Sequence, residues 1–138
     1  MKLKITILLL FTNFYLFSQT TNQDEIKYSA DGIYISFLDD SGKEVNKVPI
    51  GKSPEITYNT FFKSFYITSI DENNQTKKLK LTYIMTNEDG LIRMSDTFGN
   101  IFYVANMMDY PPGKLIIVHN EKVRGYSVRT LIEGVEKK

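Results

Sequence analysis

The sequence predicts an all-β protein: an antiparallel meander of about eight or nine strands that closes as a small β-sandwich or β-barrel behind an N-terminal signal peptide. Two observations carry this prediction. Turn-forming groups of Gly, Asn, Asp and Pro recur at short intervals, and the runs between them are rich in Ile, Val, Thr, Tyr and Phe. After the N-terminal segment, no apolar run keeps a helical period over about eleven residues, which disfavours a parallel sheet with crossover helices.

The N-terminal segment has the features of a secretory signal. Lys2 and Lys4 precede an apolar run over residues 5–11, and the apolar character ends at Phe17. Polar residues from Thr12 onwards interrupt the run, whereas a membrane-spanning helix needs about twenty nearly uninterrupted apolar residues. The segment is therefore interpreted as a signal peptide rather than as an anchor.

Export sets the expected domain organisation. Cleavage after Ser18 or a neighbouring residue removes residues 1–18, and leaves residues 19–30 as a polar lead and residues 31–135 as one all-β domain. We expect the mature protein in the periplasm, at the cell surface or outside the cell, without stable insertion in a membrane. Its oligomeric state is left open.

The composition excludes several functional classes. The chain has no cysteine, which excludes disulfides, thiolate nucleophiles and thiolate metal ligands. The full chain has 17 basic and 16 acidic residues, and the loss of Lys2 and Lys4 leaves the mature protein near neutral. Nucleic-acid binders usually carry a concentrated basic face. Here the basic residues are spread along the chain, so no nucleic-acid partner is expected.

Alternation of apolar and polar side chains locates the strands. Leu79, Leu81 and Tyr83, for example, alternate with Lys80 and Thr82, as in a strand with one face in a core. The predicted strands cover residues 33–38, 44–50, 56–61, 63–70, 79–85, 91–95, 101–105, 114–119 and 126–132. A turn or two of helix is expected at residues 24–28 and 105–110.

Two prolines restrict where one of these strands lies. Pro49 and Pro54 flank Gly51, and proline is poorly tolerated in a strand that is hydrogen-bonded on both edges. The segment 44–50 is therefore predicted to run along an edge or to cross between sheets.

The sequence offers little to a catalytic or metal site. His119 is the only histidine; it is a candidate general base, but its position after an apolar run is typical of a strand end beside a turn. Paired carboxylates could hydrolyse sugars across a cleft, yet most of the acids fall in turns, where solvation and backbone hydrogen bonds explain them. We predict a non-enzymatic protein with no cofactor and no metal.

Two acidic turns resemble fragments of a calcium loop. Residues 39–44 and 87–90 supply carboxylate oxygens, but an EF-hand loop needs ligands spread over about twelve residues. A reversing turn that ends in glycine explains both segments. We therefore interpret both as hairpin turns.

The candidate binding residues are tyrosine and methionine side chains. Tyrosine on a sheet surface can stack a sugar or anchor a protein, and structural packing is the alternative. The candidates on strands are Tyr34, Tyr66 and Tyr103. A loop supplies the others, which form a contact patch if exposed and close one end of the domain if buried. These are Met107, Met108 and Tyr110.

These observations favour a non-enzymatic exported module that binds a protein or glycan partner. The alternative is a lipocalin-like small-molecule carrier, although the Gly-x-Trp sequence expected near its first strand is missing. The residues expected to line its apolar cavity are Phe37, Phe65, Tyr83 and Phe102. A carboxylate-based hydrolase is the third candidate. An open interior would favour the carrier, a solid core with a tyrosine-rich exterior the module, and two facing acids in a cleft the enzyme.

Overall fold

The computed structural model describes residues 24–105 and 113–138. Over these residues the backbone forms ten β-strands and no helix, which confirms the predicted all-β class. The strands are β1 (Glu25–Ser29), β2 (Gly32–Leu38), β3 (Glu44–Asn59), β4 (Ser64–Ile70), β5 (Thr76–Thr86), β6 (Ile92–Ser95), β7 (Ile101–Val104), β8 (Lys114–His119), β9 (Ser127–Glu133) and β10 (Glu136–Lys137).

Eight of these strands form a closed up-and-down barrel. From β2 to β9, each strand pairs antiparallel with the next along the chain. β2 then pairs with β9, from Gly32 opposite Glu133 to Leu38 opposite Ser127, and closes the sheet on itself. This last pairing decides for a barrel and against a sandwich. β1 lies beside β3 and pairs on its other edge with β10.

The barrel has two ends, which are named here by the turns they carry. Antiparallel neighbours alternate in direction, so consecutive turns lie at opposite ends. The upper end carries the turns after β2, β4, β6 and β8. The lower end carries the turns after β3 and β5, together with the start of β1.

β3 is one strand of 16 residues where the sequence predicted two. Among the described residues, its first half pairs with β2 alone, as expected for an edge segment that contains Pro49. Its second half lies between β1 and β4. Between the two halves, a Cβ on Gly51 would lie 2.8 Å from Ile33 Cγ2 and 2.9 Å from Ser69 Oγ. Glycine therefore allows β2 and β4 to approach β3 this closely.

The expected turn of helix at residues 24–28 was wrong, because this segment is strand β1. β1 pairs with β3 over five residue pairs, and Ile26 and Tyr28 pack in the core. A short segment of this kind takes its hydrogen bonds from a strand that is distant in sequence, so local sequence does not reveal its state.

Several predictions concern residues outside the described part of the chain. The predicted signal peptide at residues 1–18 and residues 19–23 of the predicted lead lie there. The second expected turn of helix covers residues 105–110. Ala105 is in neither strand nor helix, and residues 106–110 lie outside the described part.

The barrel interior is filled by side chains. Seven apolar side chains have an exposed fraction of zero: Ile56, Leu81, Met94, Val104, Leu115, Ile117 and Ile132. They come from β3, β5, β6, β7, β8 and β9, so they meet from all around the barrel. The interior of an eight-stranded barrel is just wide enough to be filled by side chains in this way.

Three turns at the upper end share one geometry. Each begins with an aspartate whose Oδ1 accepts two backbone N–H groups, from the residues two and four positions later, at 2.9 Å. The aspartates are Asp39, Asp71 and Asp96. The fourth residue of each turn has a positive φ, which glycine and asparagine adopt most readily. These residues are Gly42 (81°), Asn74 (57°) and Gly99 (84°).

Candidate functional site

A cleft opens at the upper end where β3 and β4 stop pairing. The last pair between them is Lys52 with Ile70, and β3 extends beyond this point towards Glu44. The cleft has a volume of about 570 Å³. Its lining residues are Val48, Pro49, Ile50, Gly51 and Lys52 on one side and Ile70, Asp71, Glu72 and Asn73 on the other.

The β3 side of the cleft is a strand edge. From Glu44 to Gly51, β3 pairs with β2, and no described strand pairs with its other edge. Three apolar side chains are exposed along this segment: Val45 (50%), Val48 (41%) and Ile50 (42%). Exposed apolar residues beside an unpaired strand edge are the features that allow a sheet to accept a further strand.

Two residues reduce the number of free N–H donors on this edge. Pro49 has no N–H group. The N–H of Lys47 donates to Asn46 Oδ1 at 2.9 Å, so the Asn46 side chain takes the place of a partner strand. Both features keep an open edge from pairing indiscriminately. A segment that joins the edge at Lys47 has to displace the Asn46 amide.

The opposite side of the cleft is acidic. Asp71 begins the β4–β5 turn, and hydrogen bonds from the N–H groups of Gln75 and Asn73 hold the pKa of its carboxyl below the ordinary value. Lys77 Nζ lies 3.5 Å from Asp71 Oδ2, and the adjacent Glu72 is exposed. The cleft thus combines an apolar strand edge with carboxylates at its far wall.

A second strand edge at this end has the opposite character. β4 pairs with β5 from Thr76 to Leu81, but β6 joins β5 only at Thr82. The lysines along this stretch are exposed, and charged side chains on an edge discourage pairing with other chains. They are Lys77, Lys78 and Lys80. Of these two edges, β3 therefore has the one suited to a partner strand.

His119 lines a smaller cavity of about 330 Å³ at the upper end. Its Nε2 lies 2.8 Å from Thr130 Oγ1, and its ring meets the Phe102 ring edge-on with centroids 5.0 Å apart. Burial lowers the pKa of His119, which favours the neutral ring at pH 7. Thr130 is 6% exposed, so its hydroxyl is out of reach of a substrate. The pair has the geometry of a structural hydrogen bond at a strand end.

The predicted tyrosines lie apart from one another. Tyr66 and Tyr103 have core residues on both sides along their strands, and Tyr34 follows the core residue Ile33, so all three side chains point outward. Tyr34 on β2 and Tyr103 on β7 are half-buried and separated by β8 and β9, and Tyr66 on β4 is 41% exposed. The structure does not bring these three rings into one surface. The loop candidates Met107, Met108 and Tyr110 lie outside the described residues.

The edge of β3 was not among the predicted site residues. The signal that pointed to it was the pair Pro49 and Pro54 around Gly51, which placed residues 44–50 on an edge. The predicted strand at residues 63–70 also ends at Ile70, where the pairing of β4 with β3 stops, but the local sequence did not indicate that β3 would extend past this point and leave a cleft beside its edge.

The two acidic segments that resemble calcium loops form hairpin turns, as interpreted from the sequence. In the first, Asp39 Oδ1 is directed at its own turn, where it accepts hydrogen bonds from Ser41 and Lys43. Across residues 24–105 and 113–138, no group of three or more His, Asp or Glu side chains is placed to hold a metal ion. The same residues contain no helix with the length and apolar character needed to cross a membrane.

The chain was compared with protein-family models, curated proteins and solved structures. No protein-family model, no curated protein and no solved structure matches the chain.

Proposed function

We propose that this protein is an exported, non-enzymatic binding module that captures an extended segment of a partner polypeptide by strand addition along the first half of β3. The observation that carries the proposal is the edge from Glu44 to Gly51, which is unpaired among the described residues and borders a cleft of about 570 Å³. Main-chain hydrogen bonds to such an edge supply affinity, and pockets for alternate side chains supply specificity.

The size of the edge sets the length of the partner segment. Eight residues of β3 span roughly 26 Å at about 3.3 Å per residue, so a segment of about eight residues fills it. A shorter segment leaves part of the apolar edge exposed. A folded surface does not fit, because the groups to be paired are backbone donors and acceptors in a row.

The two walls define the chemistry of that segment. In the partner segment, apolar side chains at alternate positions contact Val48 and Ile50, which are 41% and 42% exposed. Basic side chains of the same segment face the carboxylates of Asp71 and Glu72 on the other wall. A polypeptide is favoured over a glycan because Tyr34, Tyr66 and Tyr103 do not form a common stacking surface.

The alternative, a carrier with an apolar cavity, needs space inside the barrel. Phe65 and Phe102, two of the residues expected to line such a cavity, are 3% and 9% exposed. They belong to the same core cluster as the seven side chains with no exposed surface. This packing supports a module that binds at its edge rather than a carrier that binds inside.

A synthetic peptide tests the proposal. The probe is a fluorescent nine-residue peptide that alternates valine with lysine, and its binding to the processed protein is followed by fluorescence anisotropy. We expect saturable binding, together with slower hydrogen exchange of backbone amides within residues 45–51. The matched control is the same peptide with N-methyl groups on alternate residues, which keeps the side chains but removes the backbone donors. Equal binding of both peptides would overturn strand addition.

Two variants locate the binding site on β3. Val48→Lys places a charge on the edge and is expected to weaken binding by about tenfold or more. Val123→Lys, at a residue that is 49% exposed in the turn after β8, is the matched control and is expected to leave binding unchanged. Asn46→Ala frees the Lys47 N–H and is expected to strengthen binding by roughly two- to fivefold. An equal loss of peptide affinity in Val48→Lys and Val123→Lys would contradict the assignment of the binding site to the edge of β3.

A further inference from the structure

The turn after β3 displays two phenylalanines to solvent at the lower end of the barrel. Phe61 is 70% exposed and Phe62 is 59% exposed, and their rings meet edge-on with centroids 5.0 Å apart. Asn59 Oδ1 accepts the Phe62 N–H at 2.8 Å, and Lys63 has a φ of 50°. The turn is therefore held by a hydrogen bond and presents the aromatic pair outward.

The neighbouring strand extends this apolar surface. The pairing of β4 with β5 ends with Phe65 opposite Leu81, so the aromatic turn lies beside the last residues of β5. Lys63 Nζ lies 4.8 Å from the centre of the Tyr83 ring, which places the turn next to Tyr83 and the residues that follow it. Ile84 and the adjacent Met85 are 44% and 45% exposed. We call this group, Phe61, Phe62, Ile84 and Met85, the lower apolar patch.

The N-terminal segment joins the barrel at the same turn. The carbonyl of Asp24 accepts hydrogen bonds from the N–H and the hydroxyl of Thr60, at 2.8 Å and 2.9 Å. Phe17 ends the apolar run of the N-terminal segment, and the chain from Phe17 to Asp24 reaches at most about 25 Å when extended. In the unprocessed chain, a membrane that holds this run therefore lies within about 25 Å of Asp24, whose carbonyl is bonded to the turn that carries Phe61 and Phe62.

We propose that the lower end of the barrel docks on the surface of a lipid bilayer, with the lower apolar patch at the boundary between headgroups and acyl chains. Aromatic and aliphatic side chains on a rigid turn are suited to this boundary. The association is peripheral and keeps the barrel outside the hydrocarbon. It goes beyond the proposed function, because it places the β3 cleft at the end of the barrel that faces away from the membrane.

The charges near the patch indicate which lipids it accepts. Glu88 and Asp89 are exposed in the adjacent turn at the lower end, after β5, and they repel an anionic surface. Lys63 in the aromatic turn and Arg93, which pairs with Met85 of the patch, are basic. Acidic and basic side chains therefore balance beside the patch, and we expect it to bind vesicles of zwitterionic phosphatidylcholine without an added anionic lipid.

The absence of tryptophan from the chain allows a direct test. Phe62→Trp introduces one reporter in the patch, and Phe98→Trp introduces one at a residue that is 89% exposed at the opposite end. Both variants are made in the protein that is exported and processed, with the processed form identified by its mass. Addition of phosphatidylcholine vesicles is expected to shift the emission of the first variant to shorter wavelength and to leave that of the second unchanged. A shift in both variants, or in neither, would overturn the proposal.

Vesicle sedimentation supplies an independent measurement. Phe61→Ser combined with Phe62→Ser is expected to lower the fraction bound to phosphatidylcholine vesicles by about tenfold or more, whereas Phe98→Ser leaves it unchanged. Sedimentation velocity without lipid shows whether the patch instead joins two copies of the chain. A dimer that the double substitution abolishes, without binding of the unsubstituted protein to vesicles, would also refute bilayer docking.

Discussion

The ring of Tyr34 lies over Gly32, two residues earlier on the outer face of β2. A Cβ on Gly32 would be 2.7 Å from the Tyr34 hydroxyl and 3.0 Å from two ring carbons. The Lys47 ammonium lies 4.4 Å from the centre of the same ring. An aromatic ring that covers a glycine restores the packing that the glycine lacks. Tyr34 therefore has a structural role in the pairing of β2, whether or not it also contacts a partner.

This contact predicts that Gly32 and Tyr34 are energetically coupled. Tyr34→Ala is expected to lower the free energy of unfolding by roughly 1–3 kcal/mol, and Gly32→Ala by a similar amount because the new methyl group displaces the ring. The double variant should lose less than the sum of the two. Urea unfolding measures all three. Tyr66→Ala is the control and should cost about 0.5 kcal/mol or less, so an equal loss there would remove the special role of Tyr34.

The close contacts between the two halves of β3 predict a second sensitive glycine. Gly51→Ala places a methyl group against Ile33 Cγ2 and Ser69 Oγ, neither of which is the end of a long flexible side chain. We expect a loss of about 1–3 kcal/mol in the free energy of unfolding from overpacking. Ile33→Val retains Cγ2 and gives no relief, whereas Ser69→Ala removes one of the two contacts and should recover part of the loss. If Gly51→Ala is as stable in urea as the unsubstituted protein, β2 and β4 can move away from β3 at this point without a loss of stability.

His119 predicts a dependence of stability on pH above the range in which carboxylates titrate. Burial lowers its pKa in the folded protein, so the unfolded chain binds a proton more readily. The free energy of unfolding should therefore fall as the pH decreases from 7 through the unfolded pKa of about 6.5, until the folded pKa is reached. His119→Gln keeps a hydrogen-bonding group and should flatten the profile between about pH 7 and pH 5. An unchanged slope in this variant would assign the effect to another group.

The aspartate turns predict a second loss of stability at lower pH. A hydrogen bond from Ser41 and another from the Lys43 N–H lower the pKa of Asp39, and hydrogen bonds from the Asn100 side chain and backbone do the same for Asp96 against the opposing effect of burial. A lowered folded pKa means that the stabilisation is present above about pH 4 and is lost as the pH falls through the folded values.

Substitution of the turn aspartates tests this assignment. Asp39→Asn, Asp71→Asn and Asp96→Asn together keep the acceptor oxygens but remove the titration, so the unfolding midpoint should vary less between pH 5 and pH 2 than in the unsubstituted protein. Asp89→Asn, at an exposed aspartate in the β5–β6 turn, is the matched control. A profile that remains as steep in the triple variant would place the acid sensitivity elsewhere.

Local patterns were sufficient to predict most of the strands. Residues 114–119 were predicted as a strand and form β8 with the same bounds, because Leu115 and Ile117 alternate with half-buried neighbours and both ends carry polar residues. The turn at residues 39–42 followed from Asp39, whose carboxylate accepts the N–H of Ser41, and from Gly42, whose lack of a side chain allows a φ of 81°. The two halves of β3 were separated because prolines and a glycine interrupt the pattern there, although a bulge allows the strand to continue.

The candidate site was predicted less well. Tyr34, Tyr66 and Tyr103 were chosen for their residue type, and their positions around the barrel depend on how many strands separate them. The lower apolar patch combines residues of the turn after β3 with residues at the end of β5, and only the pairing of β4 with β5 brings these two segments side by side. Surfaces formed by several strands are not visible in a list of residues.

The sequence by itself determined the all-β class, the positions of most strands and the turns between them. These features arise from interactions within a few residues, namely the alternation of side chains along a strand and the backbone preferences of Gly, Asn, Asp and Pro. The tertiary structure alone decided that β2 closes on β9, that residues 25–29 form a strand and that β3 keeps an unpaired edge. Each of these depends on pairing between segments far apart in the chain, where register is set by how the whole interior packs.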